Sequence, residues 1–347
     1  MMNQLKFSLQ LETGRLSEND AKRYFSTFGI AACVLMVAYQ LSIRLLANAL
    51  FFFAPNLFYH ALAGHLISLI ALYGIAFPFF FLVLKQLPTD TMAPMEMGMK
   101  AWWRALCVAL AFMMIGNYIG NFFISYFSAL TGASPTNPVE SATSGQSFWI
   151  NLVFVAIIGP ILEELVFRKA VCDRLLPLGE GYAVILSAVL FGLVHGNFFQ
   201  FFYAAAVGAL FAMVYVKTGR LRYSISYHII INFLGGVIAP WLVDRITPWM
   251  SEEGQIQLLQ MAESDPAGLY RILQVYFFPL MVYESVFLVA AVFGVVFLVK
   301  GRKKIHFLEG LLPPPKERRV STVFCSAGIA AALAVFAVIF VMSLRGF

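Results

Sequence analysis

Residues 148–168 read FWINLVFVAIIGPILEELVFR, an apolar run of the length that a helix needs to cross a bilayer. Two adjacent carboxylates, Glu163 and Glu164, interrupt it, and Arg168 follows one helical turn after the second. A carboxylate in hydrocarbon costs at least ~2.5–3.5 kcal/mol on insertion scales, so such residues face the protein interior or a water-filled cavity. The pair therefore indicates a functional site within a membrane segment.

The whole chain has the composition of a membrane protein. Of its 347 residues, 61% are hydrophobic and 12% are charged, against roughly 25% charged in soluble domains. The apolar runs predict an all-α, polytopic helical membrane protein with about eight to nine transmembrane helices. We place the spans at 27–52, 58–84, 103–130, 148–168, 182–197, 199–216, 223–243, 274–299 and 321–343. The fifth and sixth of these are short and joined by almost no loop, which leaves the count open by one.

The basic residues are distributed unevenly along the chain. Most of the 24 Lys and Arg residues lie in five segments, whereas the loops 53–60 and 131–147 carry none. The basic segments are 1–26, 85–104, 168–174, 217–222 and 300–319. The positive-inside rule predicts a multi-pass protein of the cell membrane with its N-terminus and these segments in the cytoplasm. Because the charges flank spans instead of forming one face, we expect no nucleic-acid partner.

Polar residues divide the chain into four regions. We predict a cytoplasmic N-terminal tail at 1–26, N-terminal transmembrane helices at 27–130, a catalytic transmembrane core at 148–243, and an acidic loop with C-terminal transmembrane helices at 244–347. Ionisable side chains within spans concentrate in the third region, which predicts a catalytic or transport core of spans four to seven wrapped by lipid-facing helices. Arg44 is an exception in the first span, where its long side chain can reach a partner or a lipid headgroup. The oligomeric state is not indicated by the sequence.

The spacing Glu163-Glu164-x-x-x-Arg168 divides the two carboxylates between two roles. On a helix, Glu164 and Arg168 are four residues apart and share a face, so they are predicted to form an ion pair. Glu163 points about 100° away and has no partner on its own helix. We therefore expect Glu164 to be held by its arginine and Glu163 to act as a general base. The alternative is a structural ion pair beside an extra acid.

Two further patterns place histidines in the following membrane segments. These are Phe191-x-x-x-His195 and His228-x-x-x-Asn232, whose members share a helix face. A lone histidine on an apolar helix is more often a core residue, but the three patterns in consecutive segments favour one shared site. A carboxylate with a histidine can activate water, and a histidine with an amide can donate to an oxyanion, a contribution of ~2.7–4 kcal/mol per donor.

Glu163, His195 and His228 would also form a three-ligand zinc site with an open position. The chain lacks the His-Glu-x-x-His pattern and any serine or cysteine nucleophile motif. Hydrolysis by an activated water, with or without a metal, is therefore preferred over an acyl-enzyme mechanism.

In this order on successive membrane segments, the three motifs resemble those of the CPBP family, which includes CAAX proteases, bacteriocin-processing enzymes and abortive-infection proteins. The run 206–219 (AVGALFAMVYVKTG) is also similar to that family, and the resemblance covers about 148–240. It implies an intramembrane endopeptidase that acts on a membrane-associated peptide or protein, from a cavity open to the cytosolic side and to lipid.

The resemblance also implies a role for each motif residue. Glu163 is the base and His195 assists the water. His228 and Asn232 support the oxyanion, while Glu164 and Arg168 brace the site. A mechanism without a metal cofactor is preferred, and zinc is the alternative.

Two other functions are compatible with the pattern. One is a catalytically silent membrane scaffold or peptide-resistance (immunity) protein of the same fold, against which the complete motif set argues. The other is a transporter with a proton or cation relay, for which no repeat symmetry is found. The depth of the residues is a difficulty for any shared site. Glu163 and His228 are predicted near the cytoplasmic ends of their spans, whereas His195 is ~20 Å into its own at 1.5 Å per residue.

Overall fold

A computed structural model describes residues 9–10, 14–60 and 62–345. Residues 1–8 and 11–13 of the predicted N-terminal tail lie outside these described residues. Two short antiparallel strands, β1 (Leu9–Gln10) and β2 (Arg15–Leu16), precede the helices. The remainder of the described chain is helices and their connections.

Eight helices in the described residues are long and apolar enough to cross a membrane, and a ninth apolar helix is shorter. In chain order the helices are α1 (Glu18–Phe53), α2 (Ala63–Leu84), α3 (Met99–Thr131), α4 (Phe148–Leu178), α5 (Glu180–Leu193), α6 (Phe198–Thr218), α7 (Leu221–Met250), α8 (Glu252–Ser264), α9 (Pro266–Lys304) and α10 (Ala327–Leu344). Short helices at Pro55–Phe58, Pro138–Thr143 and Arg319–Phe324 lie in the connections. The prediction of a polytopic, multi-pass helical membrane protein is confirmed. The short helix is α5, which occupies most of the predicted span 182–197.

The predicted end of the fourth span at residue 168 is wrong. Helix α4 continues to Leu178, which makes Glu163 its middle residue and places it far from either end. Arg168 suggested the end of a span, but its side chain is fully buried and paired with Glu164. A neutralised, buried arginine does not need to reach water, so the helix runs on past it. The predicted position of the glutamates near the end of their span is wrong for the same reason.

The connection between α4 and α5 explains how Glu163 and His195 reach the same depth in the membrane. Gly179 lies at the turn between these helices, with φ +127°, a conformation that only glycine adopts readily. Glu163 precedes Gly179 by as many residues as His195 follows it. Because both stretches are almost entirely helical, the two side chains return to the same height of the bundle, and no unusual helix tilt is required.

The turn between α5 and α6 positions His195. Gly196 has φ +68°, and Asn197 caps α6 by accepting a hydrogen bond from the backbone N–H of Gln200 at 3.0 Å. His195 lies immediately before this reversal, at the end of α5. The local sequence therefore holds the histidine on a tight turn instead of within a helix.

The first and last spanning helices pack against each other and run in the same direction. They approach closely at Gly29 and Gly328, where a Cβ on Gly29 would overlap the backbone carbon of Gly328. Further along the chain, α1 and α10 separate around a cavity. The predicted acidic loop 244–270 is also largely helical, since α7 extends to Met250 and α8 follows after the Ser251 cap.

Candidate active site

Glu164 and Arg168 form the ion pair that the sequence predicts. Arg168 Nε donates to Glu164 Oε2 at 3.0 Å, Arg168 Nη2 donates to Oε1 at 3.3 Å, and both side chains are 0% exposed. Arg168 Nη1 also donates to Ser187 Oγ on α5 at 2.9 Å. A two-point contact between charged groups is stronger and more directional than a single one. The pair therefore locks α4 against α5 at the level of Glu163.

Phe191 connects the arginine to both histidines. The guanidinium of Arg168 lies 5.0 Å from the centre of the Phe191 ring, a cation–π distance. The same ring meets His195 edge-on at 5.2 Å and His228 edge-on at 5.5 Å. Phe191 therefore limits the orientations that the two imidazoles can adopt, which gives its place in the second motif a physical reason.

His228 lies between the two glutamates. Its Nδ1 is 3.0 Å from Glu164 Oε1, and its Nε2 is 3.4 Å from Glu163 Oε2. A carboxylate accepts hydrogen bonds, so Nδ1 carries the proton and donates to Glu164. The neutral ring then presents the lone pair of Nε2 toward Glu163, and the imidazolium presents a proton. Glu163 has no partner on its own helix, as the spacing predicts, but it has one on α7.

His195 has a fixed tautomer as well. Its Nδ1 is 2.8 Å from the backbone oxygen of Phe191, and a carbonyl oxygen can only accept. Nδ1 is therefore the protonated nitrogen, and the neutral ring keeps a free lone pair on Nε2. The spacing Phe191-x-x-x-His195 matters because the carbonyl at the end of α5 selects the nitrogen that can accept a proton.

Asn232 binds to a backbone carbonyl that a helix defect has freed. In α4, Pro160 has no N–H, and Gly159 N–H bonds to Phe154 O, five residues back. The Val155 oxygen is thus left without a helical donor, and Asn232 Nδ2 donates to it at 3.0 Å. The amide keeps a second N–H. The Gly-Pro pair therefore provides the contact that orients Asn232.

One cavity of about 680 Å³ is lined by all four residues that the sequence predicts as catalytic, Glu163, His195, His228 and Asn232. Its volume is in the range of small-ligand sites, ~300–1,000 Å³. The predicted supporting residues, Glu164 and Arg168, lie behind its wall. The three motifs thus meet in one place, although they come from α4, α7 and the α5–α6 turn.

Further polar residues, which belong to none of the three motifs, also line this cavity. Tyr39 lies on α1, His65 and Tyr73 on α2, and Tyr203 on α6. The first two helices were expected to face lipid, and this expectation is wrong for their inner sides. An aromatic residue in a span is typical of any membrane helix, so only His65, an ionisable group in an apolar run, could have been noticed from the sequence.

The cavity extends toward one end of the bundle. The segment 137–144, which contains the helix Pro138–Thr143 before α4, forms part of its lining. The basic segments lie at the other end of α4, where Asp90 N–H donates to Asp173 O and Met95 N–H donates to Thr218 O. The sequence predicted a cavity that opens to the cytosol and basic segments that lie in the cytoplasm. Because the cavity and the basic segments lie at opposite ends of the bundle, these two predictions cannot both be correct.

The predicted zinc ligands, Glu163, His195 and His228, are not grouped as a metal centre in this structure. Among the residues that the structure describes, no three His, Cys, Asp or Glu side chains are grouped closely enough to hold a metal ion. His228 Nδ1 faces Glu164, and its Nε2 faces Glu163.

Comparison with known proteins agrees with the motifs. Residues 145–234 match the family model described as type II CAAX prenyl endopeptidase Rce1-like. The chain is 27% identical over 155 residues to the Bacillus subtilis protein YdiL, covering 44% of this chain and 62% of that protein. It is 34% identical over 90 residues to the membrane-embedded CAAX protease MroQ of Staphylococcus aureus, covering 24% and 36%. It is 33% identical over 100 residues to human CAAX prenyl protease 2, covering 23% and 30%.

The chain spans less than two thirds of the length of each of these relatives. No solved structure matches it. The matched region nevertheless contains the six predicted site residues, and it runs from the start of α4 into α7. On this match and on the motifs within it, residues 145–234 are similar to the CPBP family of CAAX-protease-like membrane peptidases.

Proposed function

We propose that this protein is an intramembrane endopeptidase that hydrolyses a peptide bond of a membrane-associated peptide or protein with an activated water. The observation that carries the proposal is the shared cavity. It brings the carboxylate of Glu163 and the unprotonated Nε2 of His195 to one space, each beside a fixed neighbour. A base within reach of a water and a second acceptor to orient that water are what this hydrolysis needs.

The first chemical step is attack by water. Glu163 takes one proton from the water while His195 Nε2 accepts a hydrogen bond from the other O–H. The water oxygen bonds to the carbonyl carbon of the substrate, and the carbonyl oxygen becomes an oxyanion. In the second step the C–N bond breaks, and Glu163 returns its proton to the leaving nitrogen. Glu163 thus serves as base and then as acid.

Asn232 and His228 support these steps. The second N–H of Asn232 is available to the oxyanion, a contribution of ~2.7–4 kcal/mol per donor. As an imidazolium, His228 donates to Glu163 through Nε2 and to Glu164 through Nδ1. Glu164 and Arg168 act through His228 and the helix contact, without touching the substrate. No metal ion takes part in these steps.

The orientation of the protein follows from its charges. We propose that the N-terminus and the basic segments lie in the cytoplasm. The segment 137–144 then lies on the opposite side of the membrane, and the substrate reaches the cavity from that side. The alternative of a catalytically silent scaffold or peptide-resistance protein is not favoured by the match to proteases.

The test compares purified wild-type, Glu163→Gln and His195→Ala proteins in liposomes that contain extracted membrane proteins. New peptide termini are counted by mass spectrometry. General acid–base groups contribute about 10²–10⁴ in rate, so each variant should lose at least ~100-fold of the cleavage while its thermal unfolding in detergent is unchanged. Glu284→Gln, which removes an exposed carboxylate of α9, is the matched control and should cleave normally. Wild-type cleavage rates in both site variants would refute the proposal.

A further inference from the structure

A second cavity of about 480 Å³ lies between α1 and α10, and we call it the α1–α10 groove. Val37, Val335, Val338 and Ile339 are among its lining residues and make most of its length aliphatic. His195 lies at its inner end, and its other polar residues come from the stretches of α1 and α10 that lie farthest from the contact at Gly29 and Gly328. These are Gln40, Arg44 and Ser343. The groove thus has one polar end and a long aliphatic wall.

Arg44 is the charged residue of this polar end. Its side chain is exposed and has no hydrogen bond, ion pair or aromatic partner among the described residues. No other Lys or Arg lines either of the two cavities in the described chain. An arginine on a spanning helix is costly to leave in hydrocarbon, which marks it as a candidate for a function. Its partner must therefore come from outside the described chain.

The height of Arg44 in the bundle identifies the layer of the membrane that it reaches. A Cβ on Gly196 would lie 3.9 Å from Met36 Cε, so residues 36 and 196 are at similar heights. The helical path from Gly179 to Gly196 rises ~25 Å, and α1 continues ~12 Å further to Arg44. The total of ~37 Å exceeds the hydrocarbon core of ~30 Å and falls within the ~40–45 Å that includes both headgroup layers.

We propose that the α1–α10 groove binds an anionic phospholipid, with the headgroup phosphate at Arg44 and one acyl chain along the aliphatic wall. The ~12 Å between Arg44 and the level of Gly196 is close to half of the hydrocarbon thickness, which is the reach of an acyl chain in one leaflet. Arginine is well suited to phosphate because its planar donors match the phosphate oxygens. The lipid would belong to the leaflet opposite the basic segments.

The wall of the groove favours a lipid over a peptide. A bound peptide must pair its backbone N–H and C=O groups. Aliphatic side chains offer no such partners, and apart from His195 at the inner end the polar side chains lie at the end that contains Arg44. An acyl chain needs none. His195 lines both the groove and the cavity that contains Glu163, so the inner end of the acyl chain would contact the candidate active site from behind.

Native mass spectrometry of the full-length protein tests the inference without any measurement of cleavage. The probes are dioleoyl phosphatidylglycerol and dioleoyl phosphatidylcholine, titrated separately into detergent. We expect the wild-type protein to bind phosphatidylglycerol at least tenfold more tightly than phosphatidylcholine. In Arg44→Gln this preference should fall to within twofold. Val338→Trp, which fills the groove and keeps the charge, should lose phosphatidylglycerol binding by at least fivefold.

Arg271→Gln is the control, because it removes an exposed arginine of α9 that does not line the groove. It should keep the wild-type preference. An unchanged lipid preference in Arg44→Gln would overturn the inference. Loss in Arg44→Gln with full binding in Val338→Trp would overturn it too, because the charge would then bind lipid without the groove. Tighter binding of a free apolar tripeptide than of either lipid, lost in Arg44→Gln, would assign the groove to a peptide instead.

Discussion

His228 Nδ1 donates a hydrogen bond to Glu164 Oε1 across 3.0 Å, and this contact between α7 and α4 determines which imidazole nitrogen faces Glu163. Without Glu164 the imidazole could present either nitrogen. Adjacent glutamates therefore have different tasks because of a residue more than sixty positions away in sequence. One carboxylate fixes the histidine, and the histidine positions the other carboxylate.

Glu164→Gln should destabilise the protein far more than Glu163→Gln. It leaves the buried guanidinium of Arg168 without a counter-charge, and breaking a buried pair costs ~3–5 kcal/mol. Glu163 is 23% exposed and can lose its charge without that penalty. Thermal unfolding in detergent measures the difference. The double variant Glu164→Gln/Arg168→Gln should recover part of the loss, and equal unfolding temperatures for both single variants would contradict the buried pair.

Asn232→Leu should lower kcat by about 10²–10³ and leave KM nearly unchanged, because the side chain is proposed to contact the oxyanion and not the bound substrate. The isosteric carboxylate in Asn232→Asp should be at least as damaging, since it can no longer donate. Steady-state kinetics on an identified substrate would measure both. A rise in KM alone would show that Asn232 binds substrate and does not support the transition state.

Prolonged dialysis against a chelator should leave the cleavage rate within twofold of the starting value. The reason is that the proposed steps use side chains alone, and no three His, Cys, Asp or Glu side chains in the described residues are grouped to hold a metal ion. Elemental analysis of the dialysed sample is the necessary control. If activity disappears and returns on addition of zinc, Glu163, His195 and His228 must rearrange into a metal site that this structure does not contain.

Glu96 is one source of the pH dependence of stability at the basic end of the bundle. A hydrogen bond from Tyr223, together with Arg220 and Arg222, holds the pKa of the Glu96 carboxyl below its usual value. A depressed pKa means that this contribution is present above the unfolded-state pKa and is lost as the pH falls through the folded-state pKa. Between pH 5 and pH 3, the unfolding temperature of Glu96→Gln should therefore fall by less than that of the wild type. Glu140→Gln, at an exposed glutamate in the segment 137–144, serves as the comparison.

The sequence predicted the parts of the site that depend on periodicity. The spacing of Glu164 and Arg168 predicted their ion pair because residues four apart on a helix are neighbours. It could not predict that the pair is buried, and for that reason the continuation of α4 to Leu178 was missed. The sequence alone does not show whether a charged side chain is exposed to water or is buried with a partner of opposite charge.

The remaining contacts depend on tertiary packing. His228 reaches both glutamates from another helix, and Tyr39 and Tyr73 enter the cavity from helices that look lipid-facing in sequence. The link between Asn232 and the Val155 carbonyl required two facts together, a missing N–H at Pro160 and a displaced hydrogen bond at Gly159. Each of these facts is local to α4, but the contact with Asn232 depends on how α7 packs against α4.

The contact of Gly29 with Gly328 also has a consequence for biosynthesis. Of the helices α1–α10 in the described residues, α1 leaves the ribosome first and α10 leaves it last. The surface of α1 that α10 covers must therefore remain in contact with lipid or with the insertion machinery while α2–α9 are made. α10 can pack against α1 only after α10 itself has been inserted. A ribosome that stalls before α10 would therefore leave an intermediate in which this surface of α1 is still uncovered.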